Sequence, residues 1–129
     1  EGEEQVGGFA GASYGGVENG IVNNYATGDV IGKIGVGGFV GVTYDIMKDS
    51  YATGNVKGIE RVGGYAGVLG QEYSTNLYAT GNVEGKVKVG GLVGETWIDV
   101  SDSYAEGDVK GEEYVGRFGG LISGSTISN

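Results

Sequence analysis

Residues 62–88 read VGGYAGVLGQEYSTNLYATGNVEGKVK, and at residue 89 the same text begins again as Val89-Gly90-Gly91-Leu92. The opening phrase also stands at Val6-Gly7-Gly8-Phe9 and Val36-Gly37-Gly38-Phe39, and in altered form at Val115-Gly116-Arg117-Phe118. The marker valines lie 30, 26, 27 and 26 residues apart. A second phrase keeps step with the first: Tyr25-Ala26-Thr27-Gly28, Tyr51-Ala52-Thr53-Gly54, Tyr78-Ala79-Thr80-Gly81 and Tyr104-Ala105-Glu106-Gly107. Each tyrosine precedes the next marker valine by 11 residues, so that segment has constant length. The length variation falls between valine and tyrosine. It is largest around Tyr14-Gly15-Gly16-Val17-Glu18-Asn19-Gly20, where glycine and asparagine signal a loop.

This period selects the fold. Helical repeats need about 33 residues or more, and glycine at this density costs a helix about 1 kcal/mol per residue. The leucine ladder and asparagine of leucine-rich repeats are absent. Short β-branched and aromatic runs between Gly-Asn or Gly-Asp turns predict strands. The sequence therefore predicts an all-β chain, a parallel β-solenoid expected to be a right-handed β-helix. It has about 4.5 coils of 26–27 residues, starting near Val6, Val36, Val62, Val89 and Val115. Coils stacked ~4.8 Å apart make a rod about 20 Å tall.

Residues 1–129 read as a single repeat domain, or as a segment of a longer array. Gly2 aligns with Gly32, Gly58, Gly85 and Gly111, and the next tyrosine falls due near position ~130, so both ends are expected to break inside a coil. Arg117 stands where the other copies have their second glycine, which reads as the start of a boundary.

Composition narrows function by exclusion. The chain has 30 glycines but no proline, which rules out collagen. Apolar residues recur at fixed places, unlike those of a disordered chain. A net charge of −9 makes phosphate backbones and anionic membrane surfaces poor partners, so neither nucleic acid binding nor membrane insertion is expected. No apolar run approaches the ~18 residues that span a bilayer. With no histidine and no cysteine, nucleophilic triads and thiolate metal sites are impossible.

Gly91-Leu92-Val93-Gly94, preceded by Val89-Gly90 and followed by Tyr104-Ala105, resembles the GLUG motif, named for Gly-Leu-any-Gly and commonly followed by Tyr-Ala-Thr-Gly and a valine. The resemblance covers nearly the whole chain, with Phe9, Phe39 and Tyr65 replacing the leucine in other copies. Members of that family occur as tandem arrays in large secreted or cell-surface proteins, including adhesin-like proteins and immunoglobulin A metallopeptidases. The resemblance implies an extracellular or cell-surface module that is adhesive or structural. It does not imply catalysis, since the zinc motif of those peptidases needs histidine. No enzyme activity, cofactor or metal is expected. The alternative is an accessory substrate- or glycan-binding domain of a larger secreted enzyme.

Alternation assigns faces. One parity of the tyrosine segment holds Asn23/Tyr25, Asp49/Tyr51, Asn76/Tyr78 and Asp102/Tyr104; the other holds the unvarying alanines. Carboxylates should not be buried unpaired, so alanine is favoured inside and tyrosine outside. The competing arrangement buries the tyrosines with Ile21, Met47 and Val100, four residues earlier on the same parity. At the marker, Val36 and Phe39 fall on opposite parities, so a glycine kink is expected that brings both to the core.

The best ligand-binding candidate is the row Tyr25, Tyr51, Tyr78 and Tyr104 with Asn23, Asp49, Asn76 and Asp102 beside it. Aromatic rings flanked by amides and carboxylates suit a glycan or a host protein; the alternative role is mutual packing of the ladder. Asp29, Asn55, Asn82 and Asp108 follow the turn glycines and read as a structural turn ladder. Positive φ is expected at these turns, with side-chain amides bonding along the stack. One oxygen ligand group per coil is too few for calcium. Thr27, Thr53 and Thr80 form a row that Glu106 breaks, too sparse for an ice-binding face. Asp99 and Asp102 near Trp97 are the nearest thing to a catalytic pair and read as an acidic edge turn. The open ends suggest a homo-oligomer or head-to-tail filament.

Overall fold

The computed structural model describes residues 4–13, 21–70, 73–98, 100–122 and 127–128. The insertion at 14–20, Asp99 and the predicted alignment of Gly2 lie outside the described residues. Every described element is a strand, and every strand pair is parallel. The chain is a β-solenoid, as the period predicts.

Four sheets run along the stack. The first contains Glu4–Gly7, Ile34–Gly37, Glu60–Gly63, Val87–Gly90 and Glu113–Gly116. The second contains Ala10–Ser13, Val40–Thr43, Ala66–Leu69, Val93–Thr96 and Gly119–Ile122. The third carries the tyrosines on Tyr25–Ala26, Met47–Ala52, Ser74–Ala79 and Tyr104–Ala105. The fourth is a narrow ribbon of Val30–Ile31, Val56–Lys57, Val83–Glu84 and Val109–Lys110. The register follows the repeat: Val6, Val36, Val62, Val89 and Val115 stand side by side, as do Tyr25, Tyr51, Tyr78 and Tyr104.

The interior is divided in two. One compartment stacks valines, with Val30, Val36, Val56, Val62, Val83 and Val89 buried against one another. The other stacks Phe39, Tyr65 and Leu92 with the alanines that follow the tyrosines. Burying each such large side chain contributes about 1.5–3 kcal/mol. The Phe9, Phe39 and Tyr65 rings lie face to face, with centroids 4.6 and 5.0 Å apart.

The kink that lets valine and aromatic share the interior is a sharp corner between the first and second sheets. The Tyr65 carbonyl accepts both the Phe39 N–H, at 2.8 Å, and the Val40 N–H, at 3.0 Å. Leu92 and Phe118 accept in the same way from the coil before. One carbonyl serving two successive N–H groups marks a sharp bend, and the coils stay in one-to-one register through it, with Gly37 beside Gly63 and Val40 beside Ala66; Val36, Phe39 and Val40 are all fully buried.

The structure corrects the turn expectation. At the Gly-Asp and Gly-Asn turns, only Gly107 has positive φ among the described residues. The left-handed positions are elsewhere, in two rows. Gln5, Gly35, Arg61, Lys88 and Tyr114, each just before a marker valine, have φ between 51° and 67°. Asn23, Asp49, Asn76 and Asp102 have φ between 49° and 59°. Asparagine and aspartate visit this region readily, whereas arginine, lysine and tyrosine do so at a cost of about 1–2 kcal/mol. Inter-coil pairing and the valine core hold them there.

Tyr65 is the one hydroxyl-bearing ring in its row. Its Oη is buried without a hydrogen bond. Burial pushes the phenol far above its ordinary value. The nearby Ser50 hydroxyl pulls slightly the other way, but it donates to the Lys48 carbonyl and makes no well-formed bond to the phenol. Replacing an orphaned buried hydroxyl by hydrogen removes its desolvation penalty, so Tyr65→Phe should raise stability by about 1 kcal/mol in urea unfolding. The folded phenol stays protonated while the unfolded one ionises near pH 10. The contribution of Tyr65 is therefore intact below about pH 10 and is lost above it, at about 1.4 kcal/mol per pH unit. Tyr65→Phe should lose less stability per pH unit than the native chain in that window.

Candidate functional site

The tyrosine segment leaves the interior by a break in alternation. In Met47–Ala52, Met47, Ser50 and Ala52 are buried, Lys48 and Tyr51 are half-buried, and Asp49 is exposed. Ser74–Ala79 repeats the pattern, with Ser74, Leu77 and Ala79 inside. The left-handed residue, Asp49 or Asn76, makes two consecutive side chains point away from the core. That is why Met47 and Tyr51, four apart, face opposite ways. The alanine-inward reading holds, and the arrangement with tyrosine beside Met47 inside does not.

The four phenol rings form one stack. Centroid separations are 5.2 Å for Tyr25–Tyr51, 4.7 Å for Tyr51–Tyr78 and 5.1 Å for Tyr78–Tyr104, with interplanar angles of 7°, 4° and 2°. Tyr25 is 61 % exposed and Tyr104 46 %. Tyr51 and Tyr78 have both ring faces covered by neighbours, so the row presents edges and hydroxyls along its length and open ring faces only at its ends. Beside it, Asn76 Nδ2 donates to Asp49 Oδ1 at 2.6 Å. The sequence-predicted residues Tyr25, Tyr51, Tyr78, Tyr104, Asn23 and Asn76 are thus brought to one face, where stacking consumes most of the aromatic surface.

The turn ladder forms, with a different bonding scheme from the expected one. The side chain of each residue accepts a backbone N–H from the next coil, instead of amides pairing with amides. Asn55 N–H donates to Asp29 Oδ1 at 2.8 Å, Asn82 N–H to Asn55 Oδ1 at 2.9 Å, and Asp108 N–H to Asn82 Oδ1 at 2.9 Å. Carboxylate and amide oxygens serve equally as acceptors, which explains the free exchange of Asp and Asn here. Among the described residues no group of three or more carboxylates could hold a metal ion.

The motif glycines are explained by close approach. A Cβ on Gly91 would lie 2.0 Å from the Arg117 carbonyl oxygen, and one on Gly94 would lie 2.6 Å from the Arg61 carbonyl carbon. Between them Leu92 and Val93 are fully buried. Gly-Leu-x-Gly is therefore a strand corner pressed on both sides by neighbouring backbone. Residues 32–57, one whole coil containing the corner Gly38-Phe39-Val40-Gly41, match the family model of the GLUG motif. One coil of the chain thus carries the GLUG motif, and the other coils repeat its corner. No curated protein and no solved structure matches it.

Trp97 is the feature the motif does not explain. The acidic edge turn predicted around it is only partly described, since Asp99 lies outside the described residues and Asp102 belongs to the left-handed row. The Trp97 ring turns instead toward Tyr44, two coils away. Sequence reading passes over this pair because the two positions differ in residue type and lie 53 apart. The only sequence signal is the glycine at the equivalent place in the coil between them, Gly70.

Proposed function

We propose that this chain is a non-catalytic extracellular structural or adhesive repeat module, a rigid spacer whose side chains are spent mainly on joining one coil to the next. The observation that carries the reading is that the phenols, the interior aromatics, the valines and the turn oxygens each bond or pack along the stack. A module of that kind is extendable, because stability in solenoids sums over repeats and their interfaces. Inserting a second copy of residues 62–88 directly after residue 88 should add about 4.8 Å to the long dimension in small-angle scattering and raise the thermal midpoint. An insertion that unfolds the chain or leaves its length unchanged would remove the spacer reading. Surface placement is checked by labelling intact source cells with a membrane-impermeant amine reagent, where an unlabelled chain counts against it.

A second reading, the accessory glycan-binding domain, is favoured by Trp97, an exposed indole that belongs to none of the stacked rows and leans on Tyr44. The tyrosine face offers its own check: a glycan array that responds to the native chain and equally to Tyr51→Ala places binding away from the ladder.

A further inference from the structure

The outer surface between the first and second sheets carries a groove of about 440 Å³, outside every sequence-predicted site. Two missing side chains open it. At the left-handed corner the other coils place Gln5, Arg61, Lys88 or Tyr114, and the coil between Gln5 and Arg61 places Gly35. A Cβ added to Gly35 would meet Val42 Cγ2 at 3.1 Å, so a side chain here would enter the groove. In the next coil Gly70 lies beneath Tyr44 and Trp97; a Cβ there would come within 2.7 Å of both rings. The rings instead close over the glycine, with centroids 6.2 Å apart and planes at 45°. Trp97 remains 40 % exposed.

The opposite wall is polar. Glu95 stands in register with Val68, which in turn pairs with Val42, and on its other side with Leu121. A carboxylate in an apolar row needs partners, because burial penalises an isolated charge. It has two: Arg61 Nε donates to Glu95 Oε1 at 2.8 Å and Lys88 Nζ to the same oxygen at 3.3 Å. Val42, Val68 and Ile34 line the space between the ion cluster and the rings.

We propose that this groove binds a neutral saccharide, with the apolar face of a pyranose ring against Trp97 and its hydroxyls bonded to Arg61 and Glu95. An exposed indole beside a fixed donor–acceptor pair matches the two sides of a sugar ring. The volume lies in the roughly 300–1,000 Å³ range of small-molecule sites. Charge selects against acidic sugars: Arg61 and Lys88 are outnumbered by Glu4, Glu60 and Glu95 around the same space. The inference deepens the glycan-binding alternative above. It is separable from the spacer reading, since saccharide binding and coil insertion succeed or fail independently.

The chain has one tryptophan and nine tyrosines, so emission excited at the red edge of the indole band, beyond tyrosine absorption, reports on this groove alone. Titration with neutral oligosaccharides of glucose, galactose, mannose, xylose and N-acetylglucosamine should give a saturable change in emission with at least one, and none with trigalacturonate. By calorimetry, Trp97→Ala should weaken that saccharide about tenfold or more. Gly35→Lys places in this coil the residue that Lys88 already supplies at the same left-handed corner, so it should keep the native circular dichroism and also weaken binding about tenfold. No emission change with any neutral saccharide at millimolar concentration overturns the proposal, as does tighter binding of the acid or unchanged affinity in both variants.

Discussion

Gly64→Ala is expected to cost about 3 kcal/mol or more and to remove the single cooperative transition in urea, although it adds one methyl group. The added Cβ would sit 2.2 Å from the Gly91 carbonyl oxygen and 2.9 Å from Ala79 Cβ. Neither neighbour is the end of a flexible side chain. The oxygen belongs to the next coil's backbone, and the Gly91 N–H donates onward to the Arg117 carbonyl at 3.1 Å. Relief therefore requires two coils to separate, and separation breaks the paired strands on both sides of the corner. Gly28→Ala is the internal control. Its Cβ would meet nothing within 4 Å, and its φ is not positive. That substitution should be neutral or stabilising by about 0.4–1 kcal/mol through the unfolded chain. Equal unfolding midpoints for the two variants would refute the close-approach account of the motif.

The same contrast shows what was legible in the sequence. The constant 11-residue segment and the in-step valines specify register, because pairing out of step would place Asp49 or Asp102 beside a buried column. Ala52 and Ala79 read as interior residues from their invariance across coils, and they are buried. The corner at Gly38-Phe39 was legible because valine and aromatic fall on opposite parities and both are too apolar to leave outside. The left-handed rows were half legible. Asn23, Asp49, Asn76 and Asp102 are residue types that tolerate positive φ, whereas Arg61, Lys88 and Tyr114 are not, and only Gly35 signals that second corner. Turn glycines drew the positive φ expectation to the wrong place because Gly54 and Gly81 are there for close approach, each to the turn glycine of the coil before it, while Gly28 begins the described row and has no such neighbour. The groove was not legible, since it depends on Gly35 and Gly70 lacking side chains in adjacent coils, and a repeat alignment treats each as an ordinary exchange.

Arg117→Gly is expected to increase end-to-end association of a chain made of these 129 residues. In the second-glycine column the collision always points the same way. A Cβ on Gly8, Gly38, Gly64 or Gly91 would strike the carbonyl oxygen of the following coil, at 2.5, 2.2, 2.2 and 2.0 Å respectively. Arg117 carries a real Cβ in that column. An in-register coil stacked beyond it, from a second copy, would bring its carbonyl to the same forbidden distance. In a chain of these 129 residues alone, the first and last coils are otherwise suited to pairing. Phe9 and Tyr25 at one side of the stack and Tyr104 and Val115 at the other are 48 %, 61 %, 46 % and 43 % exposed, and unpaired strand edges are templates for association. Arg117 acts against that tendency by steric exclusion and by the burial cost of its charge. Size-exclusion chromatography with light scattering at rising concentration should show the native chain as a monomer and Arg117→Gly shifting to larger species. Arg117→Lys, which keeps a Cβ and a charge, should stay monomeric. Native filaments, or an Arg117→Gly chain no more associated than Arg117→Lys, would show that this side chain does not guard the edge.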